Sequence, residues 1–448
     1  MHVETIKTES LGNRGYLVHD GKQAIAIDVQ RDYGRWIQAA DQAEVEIVSV
    51  LETHIHNDYI SGGFRLSRHS GSEYIIPAQS DQAFEAREVS DGEVLEVGDL
   101  EVTAIHTPGH TPNHFSYDIS DGEAHAVFTG GGLLYGTVGR PDLISDDMTE
   151  ELAAAQYRSA QKLLDSLEEA TKVYPTHGFG SFCASAEGTG ADESTLAEEK
   201  TANIAYTTSN QESFVASIVE GLDAYPKYYS HMGVMNQAGT GDMCLADTSK
   251  LSSEQIATLL SHDDWVIDIR SRQDFASGHP LGAAGFEYSD SLSTYIGWLI
   301  PWGDMMTLVG DSDNELHDAQ IQLGRIGMDQ FVAAASDDTE SYLATGQNRT
   351  YPLKKFADLE FSDETSAQVV DVRNQNEHNE SHLKGAVNIP LHELPDRIGE
   401  LPRDKTLWVH CQSGYRASIA ASLIDRTGRD TILINDDYDN AKKELLDE

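Results

Sequence analysis

Five residues of this chain have the types and spacing of a metal site. His54, His56 and Asp58 fall in Thr53-His54-Ile55-His56-Asn57-Asp58, His110 in Thr107-Pro108-Gly109-His110, and His177 in Tyr174-Pro175-Thr176-His177. Side chains two apart share a face of an extended chain, so His54 and His56 can present two imidazoles to one ion; on a helix they would diverge. Neutral imidazole is the commonest protein ligand for zinc and iron. A second chemistry sits at Cys411-Gln412-Ser413-Gly414-Tyr415-Arg416. A thiol between a strand end and a helix N-terminus meets converging backbone N–H groups and the positive end of the helix dipole, which favour thiolate. Arg416 adds a permanent charge, so the loop suits a phosphate or the outer sulfur of a persulfide. Cys183, shortly after His177, can sense or relay sulfur or serve as a small buried apolar residue. Cys244 has no evident role.

These residues need strand ends and loops to hold them. Gly15–His19 and Gln23–Asp28 flank Asp20-Gly21, a hairpin signal, and a helix over 34–43 leads into the apolar strand Val45–Leu51 that delivers His54. Alternating strands follow at Val94–Val97, Glu101–His106, His114–Ile119 and Ala124–Thr129, and an amphipathic helix over 149–168 returns the chain to Val173 and His177. The pattern predicts an αββα sandwich with ligands along one edge. Residues 184–194 read as a surface loop and 228–241 as irregular.

Further on the chain repeats itself. Val266-Ile267-Asp268-Ile269-Arg270, with Asp274, His279 and Gly282-Ala283, recurs as Val369-Val370-Asp371-Val372-Arg373, with Glu377, His382 and Gly385-Ala386. Each copy reads as a buried strand ending in Asp-x-Arg, then a short helix and a second strand, so two α/β domains of one kind are predicted. Only the second copy carries a cysteine loop; the first reads Gly310-Asp311-Ser312-Asp313 there. The expected organisation is residues 1–240, 251–345 and 351–448, an α/β and α+β multidomain chain.

With 448 residues and a formal charge of −44 from 75 acidic and 31 basic residues, the chain is long enough for several cores and too acidic for nucleic acid or anionic membranes. Acidic excess with lysine scarcer than arginine resembles halophilic proteins, in which salt screens self-repulsion. Three scattered cysteines exclude a disulfide framework. The first residues have neither a basic nor an apolar leader pattern, and no apolar run approaches about 18 residues, so a cytoplasmic location is expected. Self-association is also expected.

The His54-x-His56-x-Asp58, His110 and His177 series resembles the metallo-β-lactamase superfamily, with Tyr59 where that family has a second-site His and Gly131 where it has a bridging Asp. The Cys411 loop has four residues between Cys and Arg, and with Asp371-Val372-Arg373 and His382-Leu383-Lys384-Gly385-Ala386 it resembles active rhodaneses; the first copy resembles an inactive rhodanese homology domain. The order of the three resembles persulfide dioxygenase–rhodanese fusions. That resemblance implies Fe(II) ligands at His54, His110 and the position of Gly131; with no carboxylate there, His54, His56 and His110 remain as the expected set for one Fe(II), or zinc, with Asp58, His177 and Cys183 on the second-site or substrate side. It implies Cys411 and Arg416 as catalytic residues, with Gln412, Ser413, Gly414 and Tyr415 forming the persulfide loop. The implied reactants are a low-molecular-weight thiol persulfide such as that of glutathione, thiosulfate or sulfite, and O₂. Gly131→Asp is then expected to raise iron occupancy. Two alternatives stand beside this reading: a sulfurtransferase with a degenerate, metal-poor first domain, and a glyoxalase II-like zinc thioester hydrolase.

Overall fold

The computed structural model describes residues 1–186, 188–359 and 366–447. The chain divides into two compact units, Met1–Cys244 with Leu323–Gly327, and Leu245–Gln322 with Met328–Glu448.

The first unit is built on two six-stranded sheets. One runs His2–Thr8, Asn13–His19, Gln23–Ile27, Glu46–Leu51, Glu73–Pro77, Arg87–Val89 in that spatial order. The other runs Ser194–Thr195, Lys172–Pro175, His125–Gly130, Phe115–Ser120, Leu100–His106, Val94–Val97. Alternation of side chains explains the layering: Tyr16, Val18, Ile25 and Ile27 from the first sheet meet Val102, Phe115, Tyr117 and Phe128 from the second in a shared core. Each outer face is covered by helices, Gly34–Ala43 and Gly63–Ser70 on one side and Thr149–Ser166 and Gln211–Glu220 on the other. This is the αββα arrangement that the hairpin, the alternation and the helix at residue 34 predict.

The stretch over 228–241 departs from its expected irregularity. It contains the helix Tyr229–Ala238, whose weak apolar periodicity hides it in the sequence. Long-range bonds hold it instead: the Asn236 amide donates to His56 O and Tyr59 O, both at 2.8 Å, and accepts from Ser61 N at 2.8 Å. The helix thereby fastens the histidine loop.

The second unit contains a four-stranded parallel sheet, ordered Ala284–Gly285, Trp265–Asp268, Met306–Val309, Val332–Ser336. It also contains a five-stranded parallel one, ordered Leu353–Lys354, Thr431–Ile434, Thr406–His410, Ala367–Asp371, Val387–Asn388. The Asp-x-Arg repeat acts identically in both. Arg270 pairs with Asp268 at 2.6 Å and donates to Gly278 O at 3.0 Å, while Arg373 pairs with Asp371 at 2.7 Å and donates to Ser381 O at 2.7 Å. In each copy a buried charge pair ties a strand end to the end of the short helix that follows. No helix among the described residues is long and apolar enough to cross a membrane.

Candidate metal centre and sulfur-transfer loop

Asp28 anchors the histidine loop. It follows the strand Gln23–Ile27 with a φ of 49°, a left-handed value that a non-glycine residue adopts only when its surroundings hold it there. Its carboxylate accepts the Thr53 N–H and the Thr53 hydroxyl, both at 2.8 Å, and the Thr176 hydroxyl. Because the Thr53 proton goes to Asp28, the contact at 2.9 Å between Thr53 Oγ1 and His54 Nδ1 must be donated by the imidazole. That tautomer leaves a lone pair on His54 Nε2.

Two more rings are fixed by their outer partners. His110 Nδ1 lies 2.8 Å from Arg140 O, a pure acceptor, so His110 carries its proton there. His177 Nδ1 lies 3.1 Å from Asn13 Oδ1; the Asn13 amide nitrogen faces the Asp58 carboxylate at 2.6 Å, so its oxygen receives the His177 proton. Three imidazoles therefore turn bare Nε2 atoms inward, each oriented by an outer partner as metal-binding histidines usually are. His54 Nε2 and His177 Nε2 are 3.2 Å apart, and His110 Nε2 is buried without a hydrogen-bond partner. The three donors lie within 4.8 Å of one another. Burial, then the neighbouring imidazoles, push His54 far down; burial and His177 push His110 down to about 3, so both are neutral at pH 7. Lone pairs converging in a buried pocket fit a cation, and Asp58 Oδ1, buried and unpartnered, stands beside them.

His56 belongs to a different group. Its Nε2 lies 3.2 Å from Asp28 and 3.0 Å from Glu52, and although burial alone would lower it, these carboxylates hold it up at about 10. Tyr59 stacks on the ring at 4.3 Å. His54 converges with His110 and His177, whereas His56 converges both with Asp58 and His177 and with Asp28 and Glu52. The two buried carboxylates engage His56 Nε2, and its Nδ1 is buried without a hydrogen-bond partner.

The place where the resemblance calls for an Asp is filled by His110. A Cβ on Gly131 would lie 2.3 Å from His110 Cδ2 and 2.6 Å from Cγ, while the Gly131 N–H donates to His114 Nε2 at 3.0 Å. An Asp side chain at 131 has no room unless His110 moves, against the expectation that Gly131→Asp would load iron. Cys183 is fully buried, 3.9 Å from the Tyr229 hydroxyl, and burial pushes its thiol well up. Cys244 is exposed.

In the second unit the strand Thr406–His410 delivers Cys411 to the start of the helix Tyr415–Arg426. Gly414 N and Ala417 N donate to Cys411 Sγ at 3.2 and 3.3 Å, so the loop presents backbone N–H groups to sulfur. Gly414 has a φ of 90°, and a Cβ there would lie 2.6 Å from Asn435 Oδ1, which makes glycine necessary. Arg416 is engaged by Glu377 through two bonds of 2.5 and 2.7 Å, a neutralising partner that the sequence reading of a free positive charge did not include. The cysteine-less copy closes over Tyr415: its hydroxyl donates to Glu287 O at 3.1 Å and accepts from Ser289 at 2.8 Å. Gln412 O accepts Tyr438 N at 2.8 Å, and Ser413 O accepts Arg272 at 3.4 Å.

Asp28, Glu52, His114, Asn13 and Asn236 were not legible as site residues. Only Asp28 had a local signal, a carboxylate closing a buried strand; the others act across distances in sequence that no motif spans.

Comparison with known proteins identifies the two folds. A metallo-beta-lactamase superfamily model matches residues 15–177 and a rhodanese-like domain model matches residues 357–444. A crystal structure of a metallo-beta-lactamase from Staphylococcus aureus superposes with a TM-score of 0.65 at 24% identity, covering 75% of this chain and 98% of that one. The chain has an N-terminal metallo-β-lactamase fold followed by a C-terminal rhodanese domain. A probable hydroxyacylglutathione hydrolase of Schizosaccharomyces pombe is 30% identical over 136 residues, 30% of this chain and 50% of that protein. A hydroxyacylglutathione hydrolase of Prochlorococcus marinus is 33% identical over 145 residues, 31% and 54% respectively. The chain spans about half the length of these curated relatives.

Proposed function

We propose that the chain is a two-site sulfur enzyme. Cys411 is the nucleophile of a rhodanese-type sulfurtransferase, and the His54–His110–His177 group holds one metal ion, iron or zinc, at a site that oxidises a thiol-bound persulfide with O₂. The observation that carries the first part is the pair of N–H donors on Cys411 Sγ. The Cys411 thiolate attacks the outer sulfur of thiosulfate; a new S–S bond forms, the S–S bond of thiosulfate breaks, and sulfite departs with the electron pair. The anionic outer sulfur then sits in the loop until a thiolate acceptor attacks it and returns Cys411 as thiolate.

In the first unit, Thr53, Arg140 O and Asn13 hold the three imidazoles in their donor tautomers, and Asp28 keeps the loop in place. A bound iron would supply the electrons that activate O₂. The resemblance to persulfide dioxygenase–rhodanese fusions supports the pairing of the two chemistries, and tethering the sites raises their mutual effective concentration. Thioester hydrolysis is the second reading, favoured by the names of the curated relatives. Tyr59 stacked on His56 and the bare Gly131 count against the bridged two-metal centre it would use. The acidic composition further supports working in concentrated salt inside the cell. Thiosulfate-to-cyanide transfer tests the first site, and oxygen uptake with a thiol persulfide by metal-loaded protein tests the second. Transfer that survives Cys411→Ser overturns the assignment of the nucleophile.

A further inference from the structure

A cleft of about 530 Å³ opens beside the histidine cluster, within the range of roughly 300–1,000 Å³ that holds small organic ligands. Ile55 and Asn57, interleaved with the site residues, and Thr111, next to His110, line it together with Tyr229, Ser230, Gly233, Val234 and Gln237 of the helix Tyr229–Ala238. Its chemistry is specific. Asn57, Gln79, Asn113 and Gln237 supply amides, whereas among the described lining residues the only ionic side chain is Asp81 and none is basic. Asn113 and Gln237 donate to Gln79 O and Ser80 O at 2.5 and 3.0 Å, which leaves their amide oxygens as acceptors. Its exposed lining residues are mixed: Ile144 is 43% and Val234 69% exposed, and Gln79 and Asp81 are exposed beside them. Arg140 stacks on the lining Tyr225 at 4.6 Å, but its guanidinium is already engaged by Asp142 at 2.6 and 2.7 Å and by the carbonyls of Phe182 and Asp223.

We propose that this cleft seats the uncharged, amide-bearing arm of the thiol carrier, an arm of the pantetheine type, and selects against carboxylate-rich thiols of the glutathione type. The inference rests on the reading that a thiol persulfide reacts at the histidine cluster. A carboxylate entering the cleft loses water, meets no basic side chain among the described lining residues and faces Asp81; desolvation without a partner is the device by which sites reject a ligand. An arm of secondary amides, a hydroxyl and branched methyl groups meets the amides of Asn57, Gln79, Asn113 and Gln237 and the exposed apolar side chains of Ile144 and Val234.

Calorimetric titration of the full-length protein with the thiols themselves, pantetheine and glutathione, reads binding without turnover. Pantetheine is expected to bind at least tenfold more tightly, and Val234→Arg, which places a cation on an exposed helical position of the cleft lining, is expected to strengthen glutathione binding. Equal or tighter binding of glutathione to the wild type overturns the proposal, as does no binding of pantetheine. Oxygen uptake with the two persulfides is the separate arm. Pantetheine binding with uptake from neither persulfide supports the cleft assignment and refutes the oxidation reading, whereas uptake with glutathione persulfide alone refutes the cleft assignment.

Discussion

Replacing His56 with alanine removes the cation shared by Asp28 and Glu52, both of them fully buried. Deleting one partner of a buried, hydrogen-bonded charge group costs about 3–5 kcal/mol, because the remaining charge has lost its water and its counterion. In a domain of this size each kcal/mol lowers the melting temperature by about 2–4 °C, so the first unit should melt some ~6–20 °C lower. Glu52 is pushed up by its burial even with His56 present, so its protonation softens the loss. Adding Glu52→Gln to His56→Ala should therefore recover part of the stability, a coupling that a double-mutant cycle isolates. The assay is differential scanning calorimetry of the full chain with a chelator present, with His54→Ala as the control for removing a neutral imidazole. If His56→Ala melts with the wild type while its metal content collapses, His56 is a ligand and the clamp assignment is wrong.

Gly131→Ala places a methyl group 2.3 Å from the His110 ring; overpacking of this kind costs about 1–3 kcal/mol, and competition with a chromogenic chelator should show weaker metal retention. Tighter retention in Gly131→Asp would refute that packing argument. The formal charge of −44 predicts a melting temperature that climbs between about 0.1 and 1 M KCl, as the Debye length falls from ~10 to ~3 Å; a flat response would remove the halophilic reading. In the rhodanese domain, burial would raise Asp371, but the hydrogen bonds of Arg373 and His378, joined below about pH 4 by the charge of His410, outweigh it and hold the carboxyl at about 2 instead of 3.8. A depressed carboxylate stabilises the folded state above its unfolded pKa, so this contribution is present above pH 3.8 and fades as pH falls through about 2. Asp371→Asn should flatten that loss in urea titrations across the window, and an unchanged acid slope would count against it.

What could be read from sequence was what is local. The two-residue spacing of His54 and His56, the Pro-Gly turn before His110 and the strand leading to His177 each place a residue at a strand end, and the structure gathers all of them. Spacing does not say which way a ring turns. His56 Nε2 is engaged by Asp28 and Glu52, and the imidazole that converges with those of His54 and His110 is that of His177, whose tautomer is set by Asn13 far back in the chain. The Asp-x-Arg repeat was legible because both copies need the same clamp. The helix Tyr229–Ala238 was not, since Asn236 holds it through bonds to a loop more than a hundred residues away rather than through an apolar stripe. Arg416 carried its expected position, but its pairing with Glu377 depends on a short helix that only the fold brings alongside.

The central claim is that Cys411 is the residue that takes up sulfur. Full-length protein mixed with one equivalent of thiosulfate, alkylated and digested, can be read by mass spectrometry of its three cysteine peptides. The account predicts a gain of one sulfur atom on the Cys411 peptide with stoichiometric sulfite release, and unmodified Cys183 and Cys244. Sulfur found on Cys183 while the Cys411 peptide stays unmodified, or sulfite release that persists in Cys411→Ser, would contradict it.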